Sequence, residues 1–207
     1  MKSLEKIGIL GGTFNPIHLG HLILAQTALE IHDLSKLLFV PCFEPPHKIT
    51  PDLLGANHRV AMVKAAVEGS FCFEVSLVEI ERGGVSYAVD TVTGLQEMYP
   101  GSELFFIIGT DTLRELHMWK DIYSLLPLCH FVAFSRPRHE MDTLRPDDMQ
   151  LDPPWPQRLF QNTVRGRHID ISSSNIRYRI AEGLSISYLV PPAVEMYIAE
   201  HGLYGSA

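Results

Sequence analysis

The sequence predicts an α/β fold: an open, largely parallel β-sheet with helices on both faces, followed by a C-terminal helical element. Short apolar runs alternate with segments whose apolar residues recur at helical spacing, which is typical of βαβ units. The short runs are apolar throughout, as expected of parallel strands buried on both faces. With 207 residues, 46% of them hydrophobic and 20% charged, the chain can bury a core as a single domain over residues 1–207.

The first half of the chain contains three predicted helices. Residues 6–10 form an apolar run that ends at a glycine pair, which indicates a buried strand entering a tight loop. Asn57 is of a residue type that caps helices, so a helix is expected to follow it. Strands or extended segments are predicted at 6–10, 36–40, 71–75 and 77–80, and helices at 19–31, from Asn57 onward, and at 89–99.

The second half continues the alternation and then changes character. Strands are predicted at 104–108, 129–134 and 168–171, and helices after 109–111 as far as Trp119, from Ser174 onward, and at 192–201. Pro192 suits the first turn of the last helix. Between them, residues 136–167 are rich in proline and charge and indicate a long excursion, so the C-terminal helical region covers about 168–207.

Charge and cysteine content exclude several classes of protein. The net charge of −7 argues against a nucleic-acid partner, although it allows a local phosphate pocket. Cys42, Cys72 and Cys129 are scattered, which suits neither a disulfide framework nor a structural zinc site. No run reaches the roughly 18–20 apolar residues of a membrane span, and no cleavable leader is evident. We expect a cytoplasmic protein without a membrane partner; whether it forms a homo-oligomer is left open.

The strongest motif joins the first strand to the first helix and reads GGTFNPIHLGH over residues 11–21. Gly11 and Gly12 let the backbone approach a ligand closely. The helix that follows presents free N–H groups and the positive end of its dipole, which together favour phosphate. His18 and His21 are three residues apart, so they share one face at the helix start. The motif is neither a P-loop nor a dinucleotide fingerprint, and it lacks the glutamate of a zinc-hydrolase helix.

A second motif, ISSSNIR over residues 171–177, lies near the other end of the chain. A serine here can act simply as a helix N-cap. Arg177, one turn into the helix, can also clamp a phosphate beside the amide-rich helix start. Together the two motifs predict two helix N-termini that converge on a polyphosphate.

Both motifs resemble the signature of the nucleotidylyltransferase superfamily, whose His-x-Gly-His core corresponds to residues 18–21. More narrowly, the chain is similar to bacterial nicotinate-nucleotide adenylyltransferases, over nearly its whole length and with the motifs in the family's order. That likeness implies a Rossmann-like sheet. The segments that carry it are 45–48, 86–91, 109–111 with Trp119, 136–137, and a tail over 190–204.

The resemblance implies a nucleotidyltransferase of NAD biosynthesis that moves AMP from ATP to nicotinate mononucleotide, giving nicotinate adenine dinucleotide and pyrophosphate. The reaction is a direct in-line displacement without a covalent intermediate, which requires alignment and charge neutralisation more than an activated side chain. His18 and His21 then donate to ATP phosphates, and Arg177 steadies the β/γ portion. Mg²⁺ bridges ATP oxygens and is held by substrate and water, with no protein metal ligands.

The same resemblance implies a set of binding residues, some of which have simpler explanations. Lys48 contacts phosphate or is a solvated loop lysine, and Arg136 reaches the mononucleotide phosphate or is an exposed arginine. Asp111 binds the adenylyl ribose, orders the water around the metal, or caps the following helix. Trp119 stacks on the pyridine or packs in the core. The binding set is Gly11, Gly12, Thr13, Phe14, His47, Lys48, Ser86, Tyr87, Ala88, Asp90, Gly109, Asp111, Trp119, Arg136, Ser173 and Ser174.

Two positions depart from the family's pattern. Ala88 stands where the family has threonine, so a hydroxyl contact is missing and the main-chain groups of Tyr87 and Ala88 are left for the nicotinate carboxylate. Asn15 replaces the aspartate of many members. The alternatives that stay open are the same reaction on nicotinamide mononucleotide, AMP transfer to another phosphate such as phosphopantetheine, a catalytically inactive nucleotide sensor, and a zinc hydrolase.

Overall fold

A six-stranded parallel β-sheet in the order β3-β2-β1-β4-β5-β6 forms the centre of the computed structural model. The structure describes residues 4–46, 52–135, 144–167 and 169–205. The chain runs outward from β1 to one side and resumes at β4 on the other, so the strand order reverses between β1 and β4. The strands are β1 (Lys6–Gly12), β2 (Lys36–Pro41), β3 (Phe73–Val75), β4 (Glu103–Gly109), β5 (His130–Phe134) and β6 (Thr163–Val164).

Helices cover both faces of this sheet, which confirms the predicted Rossmann-like class. They are α1 (Leu19–His32), α2 (Ala56–Val67), α3 (Val78–Arg82), α4 (Ala88–Met98), α5 (Thr110–Leu113), α6 (Ile122–Leu125), α7 (Trp155–Gln161), α8 (Ser173–Ala181) and α9 (Pro192–Glu200). Short 3-10 turns lie at Leu116–Met118 and Pro146–Met149. Within the described ranges, none of the helices is both long and apolar enough to cross a bilayer.

Two hydrophobic cores follow from the alternation of strand side chains. In β2, Leu37 and Phe39 belong to the core under α1, α2 and α9, whereas Leu38 and Val40 belong to the core under α4, α6 and α7. Every second residue therefore faces the same layer, and both layers are apolar. This explains why the strands are apolar throughout.

Several predicted elements need correction. Residues 77–80 are not extended: Leu77 is the N-cap of α3 and 78–80 lie within it. A segment of four residues is too short to distinguish the two-residue period of a strand from the 3.6-residue period of a helix. Asn57 is not a cap, since α2 already begins at Ala56 and Gly55 occupies its N-cap position. Pro192 does lie in the first turn of α9, as predicted.

The region around residues 110–171 also differs from the prediction. The single helix expected after 109–111 and up to Trp119 is instead divided into α5, which already begins at Thr110, and a 3-10 turn, with Leu113 and Leu116 both buried. Residues 169–171 form no strand, and His168 lies outside the described residues. Residues 163–164, expected within the proline-rich excursion, instead add edge strand β6 beside β5.

Candidate active site

A cavity of about 730 Å³ opens at the carboxyl ends of β1, β4 and β5. Its floor includes Gly11 and Gly12 from β1, Gly109 from β4, and Phe134 from β5. It therefore lies at the reversal of strand order, the position at which open α/β sheets bind ligands.

The β1–α1 loop forms one wall of the cavity around a buried aromatic ring. Phe14 has φ 47°, in the left-handed region that non-glycine residues rarely adopt. Its ring packs on Phe39, with centroids 5.9 Å apart, and edge-on against His21 at 5.1 Å. A Cβ at Gly12 would lie 3.2 Å from the Phe14 ring, so the glycine allows the loop to close over this side chain.

His18 and His21 stack at the start of α1, with ring centroids 3.7 Å apart and planes at 24°. The backbone N–H of His18 donates to Nδ1 of His21 at 3.2 Å. Because Nδ1 is the acceptor, a neutral His21 carries its proton on Nε2 and offers a donor there. A Cβ at Gly20 would meet the His18 ring at 3.0 Å, so the glycine between the two histidines provides the space for the imidazole.

The N-terminus of α8 lies directly beside this loop. Ser172 caps α8 by accepting the N–H of Asn175 at 3.2 Å. The Ser173 hydroxyl donates to the carbonyl of Pro16 at 2.8 Å. Arg177 donates from Nη1 to the carbonyl of Asn15 at 2.9 Å, whereas its buried Nε has no partner among the described residues. The starts of α1 and α8 thus converge on one cavity, as the two motifs predict.

Asn15 connects the β1–α1 loop to two other segments of the chain. Its side chain is only 3% exposed, and Nδ2 donates to the carbonyl of Asp52 at 2.9 Å. Its Oδ1 accepts from the Tyr204 hydroxyl at 2.8 Å and from the Leu54 N–H at 3.4 Å. Burial raises the pKa of Tyr204, and the nearby guanidinium groups only partly oppose this, so the phenol stays protonated and donates.

Arg59 is a buried cation that donates to four backbone carbonyls and, from Nη1, to the Cys42 Sγ at 3.7 Å. Its Nε donates to Leu54 at 2.9 Å, and Nη1 donates to Thr13 at 2.9 Å and to Cys42 at 2.7 Å. Its Nη2 donates to Phe43 at 2.9 Å. One side chain on α2 therefore joins the β1–α1 loop, called the phosphate loop below for the role that we propose for it, to the end of β2.

The segment 86–88 also lines the cavity, and Tyr87 is the N-cap residue of α4. The Ser86 hydroxyl accepts the N–H of Phe43 at 2.9 Å. Glu79, which also lines the cavity, accepts the Thr91 hydroxyl at 2.6 Å. Burial raises the pKa of Glu79, and the hydroxyls of Thr91 and Ser86 only partly offset that rise.

Trp119 contributes to the core and to the cavity at once. Its ring lies 5.9 Å from Phe106 and 6.2 Å from Phe131, edge-on in both cases, and the side chain also lines the cavity. Asp111, on the other side, is the second residue of α5 and lines the cavity; Gly109, not Asp111, is the N-cap.

The structure brings most of the predicted site residues to this cavity. His47, Lys48 and Arg136 lie outside the described residues. Asp90 does not line the cavity; its Oδ2 lies 3.4 Å from Nζ of Lys120. Those that line it are Gly11, Gly12, Thr13, Phe14, His18, His21, Ser86, Tyr87, Ala88, Gly109, Asp111, Trp119, Ser173, Ser174 and Arg177.

Sequence reasoning missed four residues that shape the site: Arg59, Glu79, Lys120 and Tyr204. Arg59 and Glu79 are charged residues inside helices with no local pattern that indicates burial. Tyr204 meets Asn15 across 189 residues, and spacing cannot reveal such a contact. Lys120 directly follows Trp119, and that adjacency is the one signal available in the sequence.

Fold and site define a nucleotidyltransferase of the cytidylyltransferase-like class, and the model of that family, "Cytidylyltransferase-like", matches residues 9–179. A protein of Desulfitobacterium hafniense named "probable nicotinate-nucleotide adenylyltransferase" is 42% identical over 204 residues, covering 97% of this chain and 96% of its own. A protein of the same name from Halalkalibacterium halodurans is 42% identical, with 97% and 92% covered.

Solved structures show the same fold. The Plasmodium falciparum nicotinic acid mononucleotide adenylyltransferase complexed with NaAD superposes with a TM-score of 0.73 at 20% identity, covering 97% of each chain. The same Plasmodium enzyme complexed with APC gives a TM-score of 0.72 at 19% identity. The chain belongs to the nicotinate-nucleotide adenylyltransferase family.

Proposed function

We propose that this chain transfers AMP from ATP to nicotinate mononucleotide, forming nicotinate adenine dinucleotide and pyrophosphate. A phosphate oxygen of the mononucleotide forms a bond to the α-phosphorus of ATP, while the bond from that phosphorus to the bridging oxygen of the β-phosphate breaks. The observation that carries the proposal is the convergence of the His18–His21 pair and the α8 N-terminus on one cavity. The names of the relatives support the choice of substrates, and the match covers nearly the whole length of each chain.

The phosphate end of the cavity supplies donors where negative charge grows during this displacement. His21 donates from Nε2, since its Nδ1 already accepts the N–H of His18. The Nε–H of Arg177 is a further donor, because only Nη1 is engaged by Asn15. Fixed donors of this kind lower the barrier because they need no reorganisation as the charge develops.

The pyridine end orients the acceptor. Trp119 is held edge-on by two core phenylalanines, and we assign its cavity side to stacking on the pyridine ring. The N–H groups at the start of α4, around Tyr87 and Ala88, serve the nicotinate carboxylate. Ala88 has no hydroxyl, so recognition at that position rests on the main chain.

We assign Mg²⁺ to this reaction as an ion carried by ATP and not by the protein. In the part of the chain that the structure describes, no three His, Cys, Asp or Glu side chains are grouped to hold a metal. A Mg²⁺ bound to ATP takes phosphate oxygens and water as most of its ligands. When bound, the ion would offset charge on the leaving pyrophosphate. Asp111 then orders its water shell or binds the adenylyl ribose, while the contacts predicted for His47, Lys48 and Arg136, and the cytoplasmic location, stay predictions.

Pyrophosphate release tests the proposal directly. The assay contains ATP and Mg²⁺ and compares nicotinate with nicotinamide mononucleotide by kcat/KM. We expect a preference for the acid of about 100-fold or more, which corresponds to roughly 2.7 kcal/mol. Comparable rates would indicate a dual-specificity pocket, with Ala88 as its first suspected cause. No release with either acceptor would contradict the proposal. The remaining alternatives would then be a catalytically inactive nucleotide sensor and an enzyme that transfers AMP to another phosphate.

A further inference from the structure

We propose that Lys120 is a specificity-determining residue, which selects an acceptor with a carboxylate on its pyridine ring over the corresponding amide. This inference rests on the proposed function, because it concerns the acceptor end of the same cavity. It assigns a share of this discrimination to one side chain, in addition to the main-chain donors at the start of α4.

The position of Lys120 places its charge at the pyridine end. Lys120 is one of the residues that line the cavity, as is its neighbour in sequence, Trp119. Its Nζ lies 4.5 Å from the centroid of the Tyr87 ring, at the N-cap of α4. The ammonium therefore lies beside the helix start to which we assign the ring substituent of the acceptor.

Among the described residues, Lys120 is the positively charged residue at the end of the cavity to which we assign the pyridine ring. Among these residues, the other lysine and arginine side chains that line the cavity are Arg167 and Arg177. Arg177 is bonded to Asn15 in the phosphate loop, and Arg167 follows strand β6. In the described part of the chain, Lys120 is therefore the ammonium placed beside a carboxylate at the start of α4.

The present partner of Lys120 does not prevent this role. Its Nζ lies 3.4 Å from Oδ2 of Asp90, and the two side chains are 44% and 39% exposed. An ion pair as exposed as this one contributes little to stability, because water already solvates both charges, so the ammonium can be shared with a ligand at little cost.

Charge is what separates the two acceptors. The nicotinate carboxylate and the nicotinamide amide both carry an oxygen that main-chain N–H groups can serve, but only the carboxylate is attracted by an ammonium. Without Lys120, the Asp90 carboxylate would remain and would repel the acid while leaving the amide unaffected. Lys120 therefore favours the acid in two ways: its ammonium attracts the acceptor carboxylate, and it offsets the repulsion from Asp90.

The chain offers a matched control for removal of this lysine. Nζ of Lys36 also lies 4.5 Å from an aromatic centroid, that of Tyr99, and 3.4 Å from a carboxylate oxygen, that of Glu74. Lys36 is the first residue of β2, at the amino end of the sheet, and does not line the cavity. K36M therefore removes the same two kinds of contact away from the site.

The test measures kcat/KM for nicotinate and nicotinamide mononucleotide in the wild type, K120M, K120R and K36M. We expect K120M to lower the acid-to-amide preference about tenfold through KM for the acid, with the amide unchanged. K120R should retain most of the preference, and K36M all of it. The loss in K120M should also reduce the salt dependence of KM for the acid.

Two results would overturn the inference while leaving the proposed function intact. An equal loss for both acceptors in K120M would show that Lys120 supports the fold of the site and not its selectivity. An unchanged preference would show that the main chain alone discriminates. A wild type that releases no pyrophosphate with either acceptor would contradict the proposed function itself.

Discussion

The two ends of the cavity are constructed in different ways. At the phosphate end, Asn15 and His18 are 3% and 7% exposed, and hydrogen bonds reach across 157 to 189 residues of chain. At the end to which we assign the pyridine ring, Lys120 and Asp90 are 30 residues apart in sequence, and their side chains are 44% and 39% exposed. The phosphate end is suited to fixed geometry for the chemical step. The pyridine end holds its charged groups loosely and is suited to choosing the acceptor.

Arg59 shows that the two ends are nevertheless mechanically joined. Its guanidinium bonds the carbonyl of Thr13 in the phosphate loop and the carbonyl of Phe43, whose N–H in turn donates to Ser86. A buried charge with four carbonyl acceptors cannot shift without leaving several of them unsatisfied. The separation of duties between the ends therefore rests on a common rigid support.

The largest expected effect is loss of a donor at the phosphate end. His18→Ala should lower kcat by about 10²–10³, because one fixed donor to developing charge is lost. The loss should be the same with either acceptor, since the phosphate end does not contact the pyridine substituent. Steady-state pyrophosphate release with both mononucleotides measures it.

A histidine remote from the cavity provides the control for that prediction. His130 begins β5 at the amino end of the strand and packs against Phe105, so His130→Ala should leave kcat unchanged. A His18→Ala enzyme whose defect depends strongly on the acceptor would contradict the division between the two ends.

A smaller effect is expected from the hydroxyl that supports the phosphate loop. Tyr204→Phe removes the 2.8 Å bond to Asn15, and we expect the free energy of unfolding to fall by about 1 kcal/mol. Because the carbonyl of Asn15 also accepts a hydrogen bond from Arg177, kcat should fall a few-fold with both acceptors. Urea denaturation and the same kinetic assay measure the two quantities.

Tyr197→Phe is the matched control, since its hydroxyl bonds only His58 Nδ1 among the contacts described, at 3.0 Å. It should lower stability by a similar amount without changing kcat. If both variants change kcat alike, the Tyr204–Asn15 bond has no special role in positioning the loop.

The smallest effect concerns pH at the pyridine end. The pKa of Glu79 is raised in the folded state by burial, so the folded protein binds this proton more tightly than the unfolded chain. Stability is therefore unaffected below the ordinary value of 4.5 and is lost as pH rises through the higher folded-state pKa. Glu79→Gln keeps an acceptor for Thr91 and avoids the buried charge.

We expect Glu79→Gln to gain stability relative to the wild type as pH increases from 4 to 8. Urea denaturation at several pH values measures the difference between the two proteins. A difference that stays constant over this range would show that Glu79 has the same affinity for its proton in both states.

How far the sequence predicts this molecule depends on the range of the interactions involved. The long elements α1, α4 and β4 were predictable because each is governed by its own periodicity or apolar run. The short α3 and the two-residue β6 were not, since tertiary packing decides them.

The same distinction applies to the site. The placement of His18, His21 and Arg177 at one cavity was predictable because each lies in a short continuous motif, 11–21 or 171–177. The bonds from Arg59 to Thr13 and from Tyr204 to Asn15 cross 46 and 189 residues, and no local pattern records them. The specific contributions of the donors at the cavity remain predictions for the assays above.

The long-range bonds of the phosphate loop also set the order in which the site can be completed during synthesis. Residues 11–18 leave the ribosome early, whereas Ser173, Arg177 and Tyr204 follow more than 150 residues later. At about 5–20 residues per second, the nascent loop waits on the order of 10–30 s for these groups. During that interval the glycine-rich loop exists without its support, so a growing chain acquires a finished nucleotide site only after residue 204 has been made.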